Sequence, residues 1–199
     1  MGIKLIGITG KARSGKDTFA RALVEEHGFT RMAFADPLKI AAAAAFGWPV
    51  EKVLFDDEFK QYRCPVWEIT VREALQKMGT EAMKGTFGKD FWAIRWAIDY
   101  GRIMNKCSVV VTDVRVEHEA AVLRSEGAVI VHLSRKGDGL AGAEAAHSSE
   151  QGIAFDPKHD IRIENNGTLD DLYNQAHGLV AFIENNAAEY NLKNISAKG

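Results

Sequence analysis

No apolar run in this chain is long enough to cross a bilayer. The longest, Ala41 to Phe46 with Trp48 beyond it, falls far short of the ~20 residues that a spanning helix needs. Charge of one sign is also lacking. Twenty-five Lys and Arg stand against 27 Asp and Glu, a net of -2, which excludes the broad positive field that holds a protein on a nucleic-acid duplex. Any phosphate has to be bound locally. The two cysteines, Cys64 and Cys107, form neither a Cys-x-x-Cys pair nor a disulfide framework, so they are expected as free thiols in a reducing compartment. The start lacks the long apolar region of a signal peptide, and Ile6 stands where myristoylation requires Ser or Thr, so a cytoplasmic protein is expected. Repeats, low-complexity linkers and blocks of like charge are missing, which favours one domain over residues 1–199. What is present suffices for a core: 199 residues, 46% hydrophobic, would bury roughly 70% of the unfolded surface.

Short apolar runs alternate with helical patterns. Ile3 to Thr9 reads as a strand, Gly10 to Gly15 as a glycine loop, and Asp17 to His27 as a helix. A second short strand is expected over Arg31 to Phe34. Asp36 then reads as an N-cap with Pro37 at the first helical position, opening an alanine-rich helix that Gly47-Trp48-Pro49 ends. That helix reads either as core or as a dimer surface. Val50 to Pro65 is mixed, Thr70 to Met78 reads as a capped helix closed by Gly79, and Lys89 to Met104 as another helix. Strands are expected over Ser108 to Thr112, Ala128 to Leu133 and Ile161 to Ile163, with a helix over Val116 to Ser125 and a last one that Thr168 caps. The alternation predicts an α/β fold of about five parallel strands, covered by helices on both faces. Ligands of such sheets bind beyond the carboxyl ends of the strands.

Gly10-Lys11-Ala12-Arg13-Ser14-Gly15-Lys16 fits the frame G-x-x-x-x-G-K, with the strand before it and the helix after it that the frame requires. Its glycines let backbone N–H groups converge on a phosphate, the helix N-terminus adds partial positive charge, and Lys16 can reach β- and γ-phosphates. Asp17 occupies the position where the usual pattern has the Mg²⁺-binding Ser or Thr, and Thr18 follows one residue later. The spacing G-K-x-T resembles nucleoside monophosphate kinases. Asp17 is then either a contributor to the metal shell, with Thr18, or a helix cap.

Arg13 to Thr18, Ala35-Asp36-Pro37-Leu38-Lys39, Arg72 with Gly79-Thr80 and Phe91-Trp92, Asp113-x-Arg115-x-x-His118-Glu119, and Asn165-x-Gly167 follow one another in order over about Ile3 to Leu172. In this the chain resembles the bacteriophage-type deoxynucleoside monophosphate kinases. The resemblance implies a P-loop three-layer fold with helices that bind the monophosphate over about residues 35–95 and a lid over about 135–157. It also implies transfer of the γ-phosphoryl of ATP, with Mg²⁺, to a deoxynucleoside 5'-monophosphate, and a homodimer is compatible with it. It implies that Lys16, Arg72, Asp113, Arg115 and Arg135 are catalytic. Arg13, Ser14, Gly15, Lys16, Asp17, Thr18, Asn165 and Gly167 would bind ATP, the last two where its adenine rests, and Asp17, Thr18 and Asp113 the metal. Leu38, Lys39, Arg72, Gly79, Thr80 and Trp92 would bind the monophosphate.

Each position also has a plainer reading. Lys39 can be a solvated surface lysine and Arg72 half of a surface ion pair, although a cation in the first turn of a helix opposes the dipole and so points to an anionic partner. Trp92 can stack on a base or fill a core. Asp113 and Arg115 can be a helix cap and an ion pair, and Asn165 with Gly167 a capped turn. His118 and Glu119 read as structural or solvated. His147, with Ser148, Ser149 and Glu150, matches the family's lid but lacks the further ligands of a zinc site. Two other functions share these features: a dephospho-coenzyme A kinase or another small-molecule kinase, and a binding module gated by nucleotide.

Overall fold

The computed structural model describes residues 4–137 and 152–186. The chain divides into two compact units, one made of the residues up to Ala33 together with those from Tyr100 onward, the other of Phe34–Asp99.

The first unit is built on five parallel strands: β1 (Leu5–Thr9), β2 (Thr30–Met32), β5 (Val109–Val111), β6 (Val129–Ser134) and β7 (Asp160–Glu164), in the order β2-β5-β1-β6-β7. Every residue of β1 and of the Val-rich β5 is buried, as expected of a parallel sheet covered on both faces. Alternation along β1 divides the two faces. Ile6 and Ile8 join Phe19 and Leu23 of α1 (Lys16–His27) and Leu172, Ala176, Leu179 and Val180 of α8 (Leu169–Asn185) in one apolar cluster. Gly7, between them, points the other way, where a Cβ would come within 2.8 Å of Leu123 in α7 (Glu117–Ser125). The register pairs Gly7 with Val111 on one side and with Ile130 on the other, so β1 is central. The chain leaves β1 for β2 on one side, while β6 and β7 add on the other. The loop after β1 therefore lies at the switch point of the sheet.

The second unit holds α2 (Asp36–Phe46), α3 (Val50–Phe55), a 3-10 turn over Phe59–Gln61, and an antiparallel hairpin of β3 (Arg63–Cys64) and β4 (Ile69–Thr70). A helical run follows as α4 (Val71–Gln76), a π-helical stretch (Lys77–Lys84) and α5 (Gly85–Phe87), and then α6 (Phe91–Gly101). Ala43, Trp48, Val53, Cys64, Val71 and Ala74 form its apolar cluster, so this face of the alanine-rich helix is core. Cys64 and Cys107 are free thiols. No helix among the described residues is long and apolar enough to cross a membrane.

Two local expectations are corrected, and one element was not expected. Ala35 is the N-cap of α2 and uses no side chain; Asp36 already lies inside the helix, where its charge favours the positive end of the dipole. Gly79 does not close the helix that Thr70 caps. It sits inside the π-helical stretch, where a Cβ would approach Leu38 Cδ2 to 2.6 Å, so its small size is what the position uses. The β3–β4 hairpin, two residues a side, is too short to leave an alternating pattern.

Candidate phosphate sites

In the loop after β1, Gly10 has φ +151°, Arg13 +67° and Gly15 +100°. At Gly10 a Cβ would come within 2.1 Å of Leu133 O and 2.8 Å of Ser14 Oγ, so only glycine lets the loop start against the end of β6. Gly15 caps α1, and the Phe19 N–H donates to its carbonyl at 2.9 Å. Ser14 is fully buried, and its hydroxyl has no hydrogen-bond partner among the described residues. Lys16 Nζ donates to Gly10 O at 2.8 Å and to Lys11 O at 2.7 Å, which holds the ammonium over the loop itself. Asp17 is exposed and Thr18 half-buried, both in the first turn of α1.

The other strand ends of the first unit converge on this loop. After β5, Thr112 N–H donates to Met32 O at 3.2 Å and Val114 N–H to Ile8 O at 3.3 Å, so half-buried Asp113 stands between the ends of β2 and β1. Arg115 is exposed, and its backbone N–H donates to Glu119 Oε2 at 2.9 Å. The same carboxylate oxygen takes the Val116 N–H at 3.3 Å, so Glu119 caps α7. Arg135 is exposed just past β6. After β7, Asn165 is 7% exposed and donates its Nδ2 to Ser14 O at 2.9 Å. Gly167 leaves room for Asp171, whose carboxylate accepts from Thr168 N–H at 2.8 Å in the cap of α8. His147, Ser148, Ser149 and Glu150 lie outside the described residues.

Of the expected lid, residues 135–137 and 152–157 are described, and the second piece is firmly tied. Asp160 is buried in a network: Arg124 Nη2 and His132 Nε2 lie 2.7 and 2.8 Å from its Oδ2, and Asp156 N–H donates to the same oxygen at 2.8 Å. Burial pushes the Asp160 carboxyl up, but the hydrogen bonds from Arg124, Asp156 and His132 bring it below its ordinary value. Arg124 also reaches Ala154 O at 2.8 Å, and Glu117 takes the Ala154 N–H at 3.0 Å.

The second unit carries a separate set of cations. Lys39, on α2, donates Nζ to Leu54 O at 3.0 Å. Arg72 is exposed in the first turn of α4, which is set by a capping box: Thr70 N–H donates to Glu73 Oε2 at 2.6 Å, and Glu73 N–H to Thr70 Oγ1 at 3.1 Å. Trp92 is 7% exposed and donates its indole N–H to Gly79 O at 3.0 Å, which ties α6 to the π-helical stretch. Leu38 lies against Gly79, and Thr80, next along, is exposed.

Sequence reasoning missed Asp57 and Lys60. Lys60 is paired with Asp57, and that hydrogen bond, then the charges of Lys60, Lys39 and Arg72, hold the Asp57 carboxyl below its ordinary value against its partial desolvation. Lys60 contacts that carboxylate, and Lys39 and Arg72 act on it through their charge. The i,i+3 spacing of Asp57 and Lys60 was the available signal, in a stretch that otherwise reads as mixed and charged.

Comparison with known proteins adds a family to this geometry. The family model for deoxynucleotide monophosphate kinase matches residues 56–176, a span that includes Lys60, Arg72, Asp113, Arg135 and Asn165 but begins after the loop. A protein of Acanthamoeba polyphaga mimivirus that bears the same kinase name is 30% identical over 182 residues, covering 86% of this chain and 93% of that protein. The deoxynucleotide monophosphate kinase of Enterobacteria phage T4 is 24% identical over 239 residues, covering 87% of this chain and 97% of the phage protein. Among solved structures, a gluconokinase from Sinorhizobium meliloti 1021 aligns at 17% identity with a TM-score of 0.45, over 92% of this chain and 94% of that one.

Proposed function

The chain belongs to the deoxynucleotide monophosphate kinase family and is an ATP-dependent nucleotide kinase acting on deoxynucleoside monophosphates; we propose that it does this chemistry with the residues gathered at its two cationic sites. The observation that carries the reading is the Gly10–Lys16 loop at the carboxyl end of the central strand, joined to a family match over the residues that follow. The γ-phosphoryl of ATP passes to the 5'-phosphate of the acceptor, giving a diphosphate and ADP.

A nucleotide's phosphate has its second pKa near ~6, so the acceptor is already an anionic nucleophile at neutral pH and the chain needs no general base. What it must supply is position and positive charge. Lys16 and the N–H groups of Arg13 to Thr18 hold the β- and γ-phosphates. Arg115 and Arg135 neutralise the charge that spreads over the transferred group. Lys39 and Arg72 take the acceptor's phosphate, with Lys60 as a further cation; Leu38 and Thr80 line the acceptor's place, and buried Gly79 and Trp92 support it from behind. Gly167 lies in the turn expected near the donor's base. Asp17, Thr18 and Asp113 offer the hard oxygen donors that suit Mg²⁺ and would hold it. When bound, that ion supplies charge neutralisation on the phosphate oxygens. Among the described residues no group of three or more His, Cys, Asp or Glu could hold a metal.

Release of ADP, coupled to a spectroscopic assay and measured with each deoxynucleoside monophosphate in turn, tests this. Turnover well above the ATPase background with at least one of them is expected. A chain that binds ATP but shows no such stimulation with any of them would instead be a binding module.

A further inference from the structure

Asn165 follows the last strand, where the family resemblance would have it meet the adenine of the donor. Its side chain is otherwise engaged. The residue is 7% exposed, and Nδ2 donates to Ser14 O at 2.9 Å, a buried hydrogen bond across 151 positions of sequence. Its backbone is fixed as well, since Asn165 N–H donates to Ser134 O at 2.8 Å at the end of β6. Nδ2 also lies 2.4 Å from where a Cβ of Gly15 would be, so the amide rests directly on the Ser14–Gly15 peptide. The next residue continues the brace, with Asn166 Oδ1 accepting from Lys136 N–H at 2.8 Å.

A trans peptide is planar and directs its C=O and its N–H to opposite sides. Whatever holds Ser14 O therefore also sets the direction of the Gly15 N–H. That group belongs to the loop's anion-binding backbone, at the N-cap of α1, where the helix dipole adds to its attraction for phosphate. The peptide has freedom to lose, because Gly15 has φ +100° and no side chain to lock it.

We propose that Asn165 is a positioning residue for the phosphate loop: its amide holds the Ser14 carbonyl away from the ligand, so that the Gly15 N–H is pre-aimed at the triphosphate of the donor, and it does not read the donor's base. This rests on the kinase reading above and departs from the adenine contact that the resemblance implies.

The test uses a ligand without a base. Binding of inorganic tripolyphosphate, ATP and GTP to the full chain is measured by titration calorimetry for the wild type, Asn165→Ala and Asn165→Leu. The Leu variant keeps the branched shape of the side chain and removes the donor without adding a charge, so it serves if the Ala variant does not fold. All three ligands are expected to weaken by the same factor, about tenfold, with the ATP-to-GTP ratio unchanged. Loss for ATP with tripolyphosphate unaffected would overturn the proposal and restore a base contact, as would a changed ATP-to-GTP ratio. Undiminished binding of all three would reduce the residue to a structural turn. The kinase reading fails separately: absence of transfer to any deoxynucleoside monophosphate leaves the tripolyphosphate result standing. A wild type that binds none of the three ligands would overturn both.

Discussion

Around the loop after β1, the proposed phosphate contacts combine main-chain N–H groups with the side chains of Lys16, Arg115 and Arg135; in residues 34–99 the proposed contacts to phosphate are side chains alone. Gly10 and Gly15 take backbone angles that other residues rarely adopt, and a Cβ on either would collide with Leu133 O or Asn165 Nδ2. Lys39, Lys60 and Arg72 are instead side-chain cations whose charges all act on one carboxylate, Asp57. Exposure differs in the same sense. Among the described residues nine large apolar side chains of Phe34–Asp99 are exposed, including Phe55, Val66, Trp67 and Ile94, against two in the sheet-bearing unit, Leu169 and Phe182. The proposed donor site is built on the folding of a sheet, and the proposed acceptor site is assembled from side chains.

The difference can be broken at either end. Lys16→Ala should have the largest effect, lowering kcat on the order of a thousandfold while leaving the melting temperature within a degree or two, because its contacts are to exposed carbonyls. Gly10→Ala should act on the fold as well as on turnover. Strain plus the clash with Leu133 O is expected to cost about 2–4 kcal/mol, a drop of roughly 5–15 °C in calorimetry. A normal melting curve for that variant would refute the backbone account of the donor site.

Arg72→Ala should raise KM for the monophosphate by about 10–100-fold and leave KM for ATP unchanged, with no measurable change in melting. If KM for ATP rises equally, the two sites do not divide the work as described. Trp92→Phe removes the hydrogen bond to Gly79 O, at about 1 kcal/mol, and should move KM for the monophosphate only a few-fold. A much larger rise in that KM would mean that the indole meets the acceptor directly.

The smallest expected effect is on acid stability, and it belongs to the sheet-bearing unit. Partial burial, then the charge of His177, lowers the pKa of His27 below 6.5; its Nε2 lies 2.8 Å from His177 Nδ1. The unfolded imidazole then takes up a proton before the folded one does. Its share of stability is complete above about pH 6.5 and shrinks as pH falls toward the folded value. Asp160, whose carboxyl is also lowered, keeps its contribution until pH falls below the ordinary carboxylate range near ~3.9. Melting curves from pH 8 to 3 should thus show a shallow early decline that His27→Gln removes, and a later one that it does not.

Much of this was legible in advance. The sheet strands were readable because their residues are apolar in short β-branched runs, and β5 and β6 came within a residue or two of the expected ranges. The loop was readable because its glycines and lysine follow a fixed spacing. Caps at Thr70 and Thr168 were readable because capping is a local contact of three residues. Gly79 was misread as a helix end because chain-end glycines and close-packing glycines look alike, and only Leu38, 41 positions earlier, tells them apart. Lys60 was passed over because a lysine beside an aspartate is ordinary on a surface; the nearness of Lys39 and Arg72 makes it otherwise.

Sequence by itself determined the sheet strands and most of the helices, the phosphate loop and the class of chemistry, since each depends on residues close together in the chain. Tertiary structure alone decided which distant groups complete the loop. Asn165 meets Ser14 only because β7 runs parallel to β6, which is paired with β1, so that all three strands end on one edge. Trp92 likewise spends its N–H on Gly79 only because α6 folds back on the helical run before it. Hydrogen bonds of that kind depend on where the backbone returns, and no periodicity in the chain encodes it.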